Sequence, residues 1–165
     1  VDKVADALDG QSVENYMIEV GGEVRTRGLN EQDEAWRIGI ERPMPGGNQA
    51  VDLVVPMSDA AMATSGDYRN YYEIDGKRIS HTIDPRTGYP ITHSVASVSV
   101  IAPLCVRADA YATALLVLGP KGFDLAEELG LAAYFLQRDK EGVFVGRMTN
   151  AFKHILEARE SHPRE

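Results

Sequence analysis

Two dipeptides constrain what this chain can fold into more than any other feature. Gly21-Gly22 separates the β-like runs 15–20 and 23–27, and Asp75-Gly76 separates 71–74 and 78–81. Two-residue loops of this composition supply the positive φ that joins antiparallel strands directly. Trp36, Ile38 and Ile40 alternate with polar residues as a further strand, and residues 51–55 form another. Met62 to Thr64 begins a strand, and 131–137 pairs with 143–148 across 139–142. Residues 95–102 are the richest in β-formers and are expected at the centre of the sheet. Hairpins outnumber helical crossovers, so the expected fold class is α+β, an antiparallel sheet with helices packed on one side.

The helical segments are few. Val1, Val4, Ala5 and Leu8 recur at helical spacing before Gly10 and read as the closing part of a helix, so the chain is expected to be trimmed from something longer. Residues 107–118 form a helix stopped by Gly119-Pro120, 123–129 a second closed by Gly130, and 152–158 a short last one. Residues 43–47 and the turn Asp84-Pro85-Arg86-Thr87-Gly88 are loops, Pro85 fixing φ and Gly88 permitting φ > 0. One domain over 1–158 with a polar tail at 159–165 suits the length of 165 residues.

Charge restricts the partners. A formal net charge of −8 and a pI of about 5.0 repel nucleic-acid backbones and anionic membrane surfaces. An anionic small ligand would need a cation or helix N-termini at its site. No apolar run reaches membrane-spanning length and no signal-peptide pattern opens the chain. The single cysteine, Cys105, sits in an apolar run and reads as a buried, inert thiol.

Three stretches carry candidate chemistry. In Thr64-Ser65-Gly66-Asp67-Tyr68, small hydroxyl residues beside a glycine suit phosphate or flavin contacts, or else an ordinary turn with a side-chain cap. In 80–90, His81 stands just before a rigid turn, where a general base can be held still; a half-buried histidine bonded to a carbonyl is the plainer alternative. Asp84 is expected to cap its own turn. In 108–114, Asp109 and Thr113 are four apart and share one helix face, offering hard oxygen ligands of the kind Mg²⁺ prefers. Two side chains cannot enclose Mg²⁺, so such a site would share it with phosphates, waters or carbonyls. The plainer alternative has Asp109 stabilising the helix N-terminus and Thr113 bonding back to its own helix. The cluster Tyr68, Tyr71 and Tyr72 could stack on a ring, but packing explains it as well.

Together the stretches resemble the ApbE-type FAD:protein FMN transferases. The residues that carry the resemblance are Thr64-Ser65-Gly66-Asp67-Tyr68-Arg69, Asp75-Gly76-Lys77-Arg78, Ser80-His81, Asp84 through Pro90, and Ala108-Asp109-Ala110-Tyr111-Ala112-Thr113-Ala114. Gly21-Gly22-Glu23, Trp36-Arg37-Ile38 and Val1-Asp2 also fit, in order, to about Ile155. The resemblance implies a T-fold-like domain and Mg²⁺-dependent transfer of FMN from FAD to a Thr or Ser hydroxyl, with release of AMP. It implies Asp109, Thr113 and the Ala112 carbonyl as metal ligands, His81 as the base, and Ile83, Thr64 and Ser65 as flavin contacts. The implied partners are FAD, an acceptor protein of a redox-driven membrane complex, and a missing N-terminal half, supplied as a separate chain if the protein is cleaved. The implied setting is the periplasm, with a lipoprotein anchor on the full-length protein. FAD hydrolysis to FMN and AMP, and an FAD-binding protein or incomplete fragment without turnover, are the competing readings.

Overall fold

The computed structural model describes residues 1–43, 49–67, 71–74 and 77–160, with the backbone alone described at 43, 49, 71–74, 77–78 and 159–160. Tyr68, Arg69, the Asp75-Gly76 turn, the tail from 161, most of the 43–47 loop, and the side chains of Tyr71 and Tyr72 lie outside the described residues.

The elements run α1 (Asp2–Gly10), β1 (Tyr16–Val20), β2 (Glu23–Arg27), β3 (Trp36–Pro43), β4 (Gln49–Met57), β5 (Ala60–Gly66), β6 (Tyr71–Ile74), β7 (Lys77–Ser80), β8 (Ile83–Asp84), β9 (Tyr89–Pro90), β10 (Val95–Ala102), α2 (Cys105–Leu118), α3 (Pro120–Glu128), β11 (Ala132–Arg138), β12 (Phe144–Met148) and α4 (Asn150–Glu160). Six strands form one sheet in the order β1-β2-β5-β10-β11-β12, and every neighbouring pair is antiparallel. The pairs β3–β4, β6–β7 and β8–β9 are separate two-stranded ribbons. This is the expected α+β class, with β10 internal and buried along nearly its whole length. At the β1–β2 loop, φ is 73° at Gly21 and 104° at Gly22, the paired positive values of a type I′ turn.

Side-chain alternation sorts the sheet into two covered faces. Val98 and Val100 of β10 and Ala133 and Phe135 of β11 meet Ala112, Leu115 and Leu116 of α2 and Phe123 and Ala126 of α3. Val24, Met62, Ile101, Ala132 and Tyr134 point the other way, onto Ile38, Ile40, Val55 and Met57 of the β3–β4 ribbon and Phe152 of α4. Helices α2 and α3 thus share one face, while the short α4 joins the ribbon on the other. Gly119, with φ 63°, ends α2, and Pro120 opens α3 at its first turn. The dipeptide that reads as a stop therefore also starts the next helix, three residues earlier than the periodicity alone predicts. The close α2–α3 approach needs Gly122, where a Cβ would lie 2.5 Å from the Leu115 carbonyl oxygen.

Helix α1 is latched to α2 by one carboxylate. Asp2 accepts from the Cys105 N–H (3.0 Å), the Val106 N–H (2.9 Å) and Arg25 (2.7 Å). It thereby fills the N-terminus of a helix whose own cap residue, Leu104, has no side-chain hydrogen bond to give. Burial pushes the Asp2 carboxyl upward, but these three donors outweigh it and hold it below the usual 3.8. The Cys105 thiol is buried beside it and is pushed up to about 11, mainly by desolvation, as befits an inert core thiol.

A carboxyl held lower in the folded state than in the unfolded one stabilises above its unfolded pKa, and that contribution fades as pH falls through the folded value. Asp2→Ala is expected to cost about 0.5–2 kcal/mol at pH 7, the range for a lost helix cap. The gap from the native chain should close as pH drops below 3.8. Denaturant melts of both proteins across pH 7 to 3 check this; a pH-independent gap would mean that the latch is not ionic.

Candidate active site

The site begins where one strand outruns its neighbour. β2 pairs with β5 only at Ala60, Ala61 and Met62, whereas β10 stays paired with β5 through Gly66. Past Met62 the β2 side of β5 opens beside the Gly21-Gly22 turn. A cleft of about 620 Å³ lies there, lined by Thr64, Ser65 and Gly66 of β5, the β1–β2 turn with Glu19 and Glu23, residues 38–41 of β3, His81 and Thr82, and Asp109 and Thr113 of α2.

The strand's alternation aims its two hydroxyls apart. Thr64 bonds Ser99 of β10 at 2.7 Å between hydroxyl oxygens, on the ribbon face. Ser65 turns to the helix face and meets the Thr113 hydroxyl at 2.7 Å. Asp109 stands one turn before Thr113, and both are exposed. Thr113 therefore bonds across to β5 and not back to its own helix. Asp109 does not serve as a first-turn helix anion either: α2 starts at Cys105 with no acidic residue in its first turn, and Asp2 occupies that end.

Residues 67–94 leave the sheet at the end of β5 and return at the start of the adjacent β10, closing with the Asp67 N–H on the Ala96 carbonyl (2.9 Å). His81 follows the last residue of β7 in this excursion and is exposed toward the cleft. The turn after it folds on itself. Arg86 grips the Asp84 carboxylate through its backbone N–H, Nε and Nη2, at 2.7–3.2 Å, and pulls the carboxyl down to about 2. Asp84 thus plays the turn-capping part expected of it. Its flanks form the small pair β8–β9, a ribbon too short to show in the sequence pattern.

The structure brings His81, Thr64, Ser65, Asp109 and Thr113 to one cleft. Ile83 pairs with Pro90 in β8, is 48% exposed, and is not among the lining residues. The Ala112 side chain is fully buried against the sheet, and its carbonyl lies inside the α2 ladder. Sequence reasoning missed Glu19, Glu23 and Glu41. The signal available for the first two was the pair of carboxylates flanking the Gly21-Gly22 turn, whose Gly22 N–H bonds Glu19 at 3.1 Å.

The donor set suits a hard cation shared with a ligand. Asp109, Thr113 and Ser65 offer oxygen atoms only, as Mg²⁺ prefers. Among the described residues no group of three or more His, Cys, Asp or Glu could hold a metal unaided. Among the described residues the lining includes the carboxylates Glu19, Glu23, Glu41 and Asp109.

Known proteins share this arrangement of strands and helices. Residues 1–135 match the model of the ApbE family. An FAD:protein FMN transferase of Haemophilus influenzae is 45% identical over 161 residues, 97% of this chain and 46% of that protein. One from Vibrio cholerae is 45% identical over 94% of this chain and 46% of its own length. Among solved structures, the apo flavinyl transferase ApbE of Pseudomonas stutzeri superposes with a TM-score of 0.81 at 44% identity, covering 94% of this chain and 48% of that one. The flavin transferase ApbE of Vibrio cholerae gives 0.82 at 42% identity, over 93% of this chain and 48% of its own. The chain spans about half the length of the curated relatives it matches. On the family match and these relatives together, the chain belongs to the ApbE family.

Proposed function

We propose that this chain forms the C-terminal half of an FAD:protein FMN transferase site, which moves FMN from FAD onto a Thr or Ser hydroxyl of an acceptor protein. The observation that carries the reading is the cleft itself: a helix carboxylate and hydroxyl, a strand serine and a histidine converge there beside Glu19, Glu23 and Glu41. A cation bound with a pyrophosphate would offset its repulsion by those carboxylates. Mg²⁺ held by Asp109 and Thr113 with phosphate oxygens would supply neutralisation of the charge on the pyrophosphate.

The remaining work falls to the chain. Ser65 holds Thr113 through their 2.7 Å bond and so fixes its hydroxyl in the cleft. Thr64, tied to Ser99, presents the backbone of β5 to the flavin end. His81 accepts the proton of the acceptor hydroxyl. That oxygen bonds to the FMN phosphorus, the bond from phosphorus to the bridging oxygen breaks, and AMP leaves with that oxygen. The acceptor on this reading is a subunit of a redox-driven membrane complex, and the reaction runs in the periplasm with the intact protein anchored as a lipoprotein. No helix among the described residues is long and apolar enough to cross a membrane.

The test is mass spectrometry of an acceptor domain after incubation with FAD, Mg²⁺ and this chain, alone and extended to the length of its relatives. An added FMN mass with AMP release supports the transferase. Free FMN and AMP without a modified acceptor would mean hydrolysis, and no AMP from either form would mean an FAD-binding protein without turnover. His81→Ala should lower transfer by roughly 10²–10⁴-fold, the share of a positioned base, with FAD affinity retained. Asp109→Ala should abolish the Mg²⁺ dependence of FAD binding measured by flavin fluorescence. If both EDTA and Asp109→Ala leave affinity untouched, the metal assignment fails.

A further inference from the structure

One imidazole in the excursion makes no hydrogen bond among the described residues. Both ring nitrogens of His93 are shut away from solvent with no hydrogen-bond partner among the described residues. Buried polar atoms left unpaired are costly and uncommon, so the ring is held there by something other than its nitrogens. The ring packs closely against Gly119, where α2 hands over to α3. A Cβ built on Gly119 would come within 2.4 Å of His93 Cδ2 and 2.6 Å of Cγ, and Gly119 itself adopts φ 63°. The glycine therefore provides a notch, and His93 fills it.

The position of that wedge matters because of what it is attached to. Residues 67–94 leave and re-enter the six-stranded sheet, and the ribbons β6–β7 and β8–β9 they carry pair with none of its strands. The excursion is tied to the body near its return: Ile91 packs into the core under α2 and α3, His93 sits on Gly119, and the Ser94 carbonyl accepts from the Arg138 N–H at 2.9 Å. The Ile91 N–H bonds the Thr82 carbonyl at 3.0 Å, closing the base of the β8–β9 ribbon. His81 is the next residue back. A short mechanical path thus runs from the α2–α3 junction through His93, Ile91 and Thr82 to His81. Its far end faces Asp109 and Thr113 on the same α2 whose C-terminus forms the notch.

We propose that His93 is a positioning residue: its ring, wedged on Gly119, sets the height of the His81 segment over the Asp109–Thr113 face of α2. The inference rests on the assignment of His81 as the base. The role belongs to the shape of the ring and not to its nitrogens.

The test is a double-mutant cycle in the intact protein, with FAD, Mg²⁺ and the acceptor domain, reading kcat, the FAD dissociation constant and the melting temperature. His93→Ala should leave FAD binding unchanged and lower kcat by about 10- to 100-fold, the scale of misplacing a reacting group by an ångström or less. His93→Phe, which keeps a planar ring and discards both nitrogens, should recover most of that loss. In a His81→Ala background, His93→Ala should cost nothing further, because it acts through His81. Full kcat in His93→Ala, a parallel fall in FAD affinity, an equal loss in His93→Phe, or additive effects in the double variant would each overturn the inference. The single His81→Ala variant separates the two claims: full transfer there overturns the base assignment, whereas its loss beside an active His93→Ala overturns the positioning role alone.

Discussion

Strand β5 and strand β10 pair from Ala61 with Ala102 to Gly66 with Ser97, and the other elements take their places from that register. It puts Ala61, Ala63, Val98 and Val100 on one face and Met62 and Ile101 on the other. A shift by one residue would exchange the faces and expose both cores. The small side chains of Ala61 and Ala63, both essentially buried, let α2 come down close to β5. That approach is what allows a serine on the strand to reach a threonine on the helix at 2.7 Å. The site is therefore a consequence of packing: the same alternation that buries the alanines delivers Ser65 to Thr113.

Strand lengths make the cleft. If β2 paired along β5 to its end, the backbone beside Thr64, Ser65 and Gly66 would be covered by another strand. The type I′ turn at Gly21-Gly22 stops β2 early, since two consecutive residues with positive φ end the extended chain. The excursion 67–94 emerges at the same end, so a histidine on a ribbon outside the sheet comes to face a helix packed on the sheet. Latching of α1 onto the start of α2 by Asp2 fixes the opposite end of that helix. α2 is thus held at Asp2 before its first turn and at the His93–Gly119 contact after its last, with the candidate ligands Asp109 and Thr113 between.

Much of this was legible in the sequence. Gly-Gly and Asp-Gly between β-like runs announced hairpins, and the density of β-formers in 95–102 announced a strand at the centre of the sheet. The spacing of Asp109 and Thr113 placed both on one face of α2. What remained hidden depends on contacts between distant residues. Asp109 could equally have been a helix-end anion, and only Asp2, more than a hundred positions away, removes that alternative by taking the place. Glu41 reaches the cleft because β3–β4 folds over the sheet, which no local pattern encodes. β8–β9 comprises two residues a side and has no periodicity to detect. Gly119-Pro120 read as a terminus because either residue ends a helix; that the proline also begins one becomes visible once Gly122 is seen against Leu115.

The acidic lining gives the proposed chemistry an order. The described lining carries four carboxylates, Glu19, Glu23, Glu41 and Asp109, and on the proposed function a cation bound with the dinucleotide would offset their repulsion of its phosphates. On that reading Asp109 and Thr113 would hold the cation through their oxygen atoms. On the proposed function, the hard oxygen donors and the carboxylates would act together: holding the cation would also neutralise the phosphates.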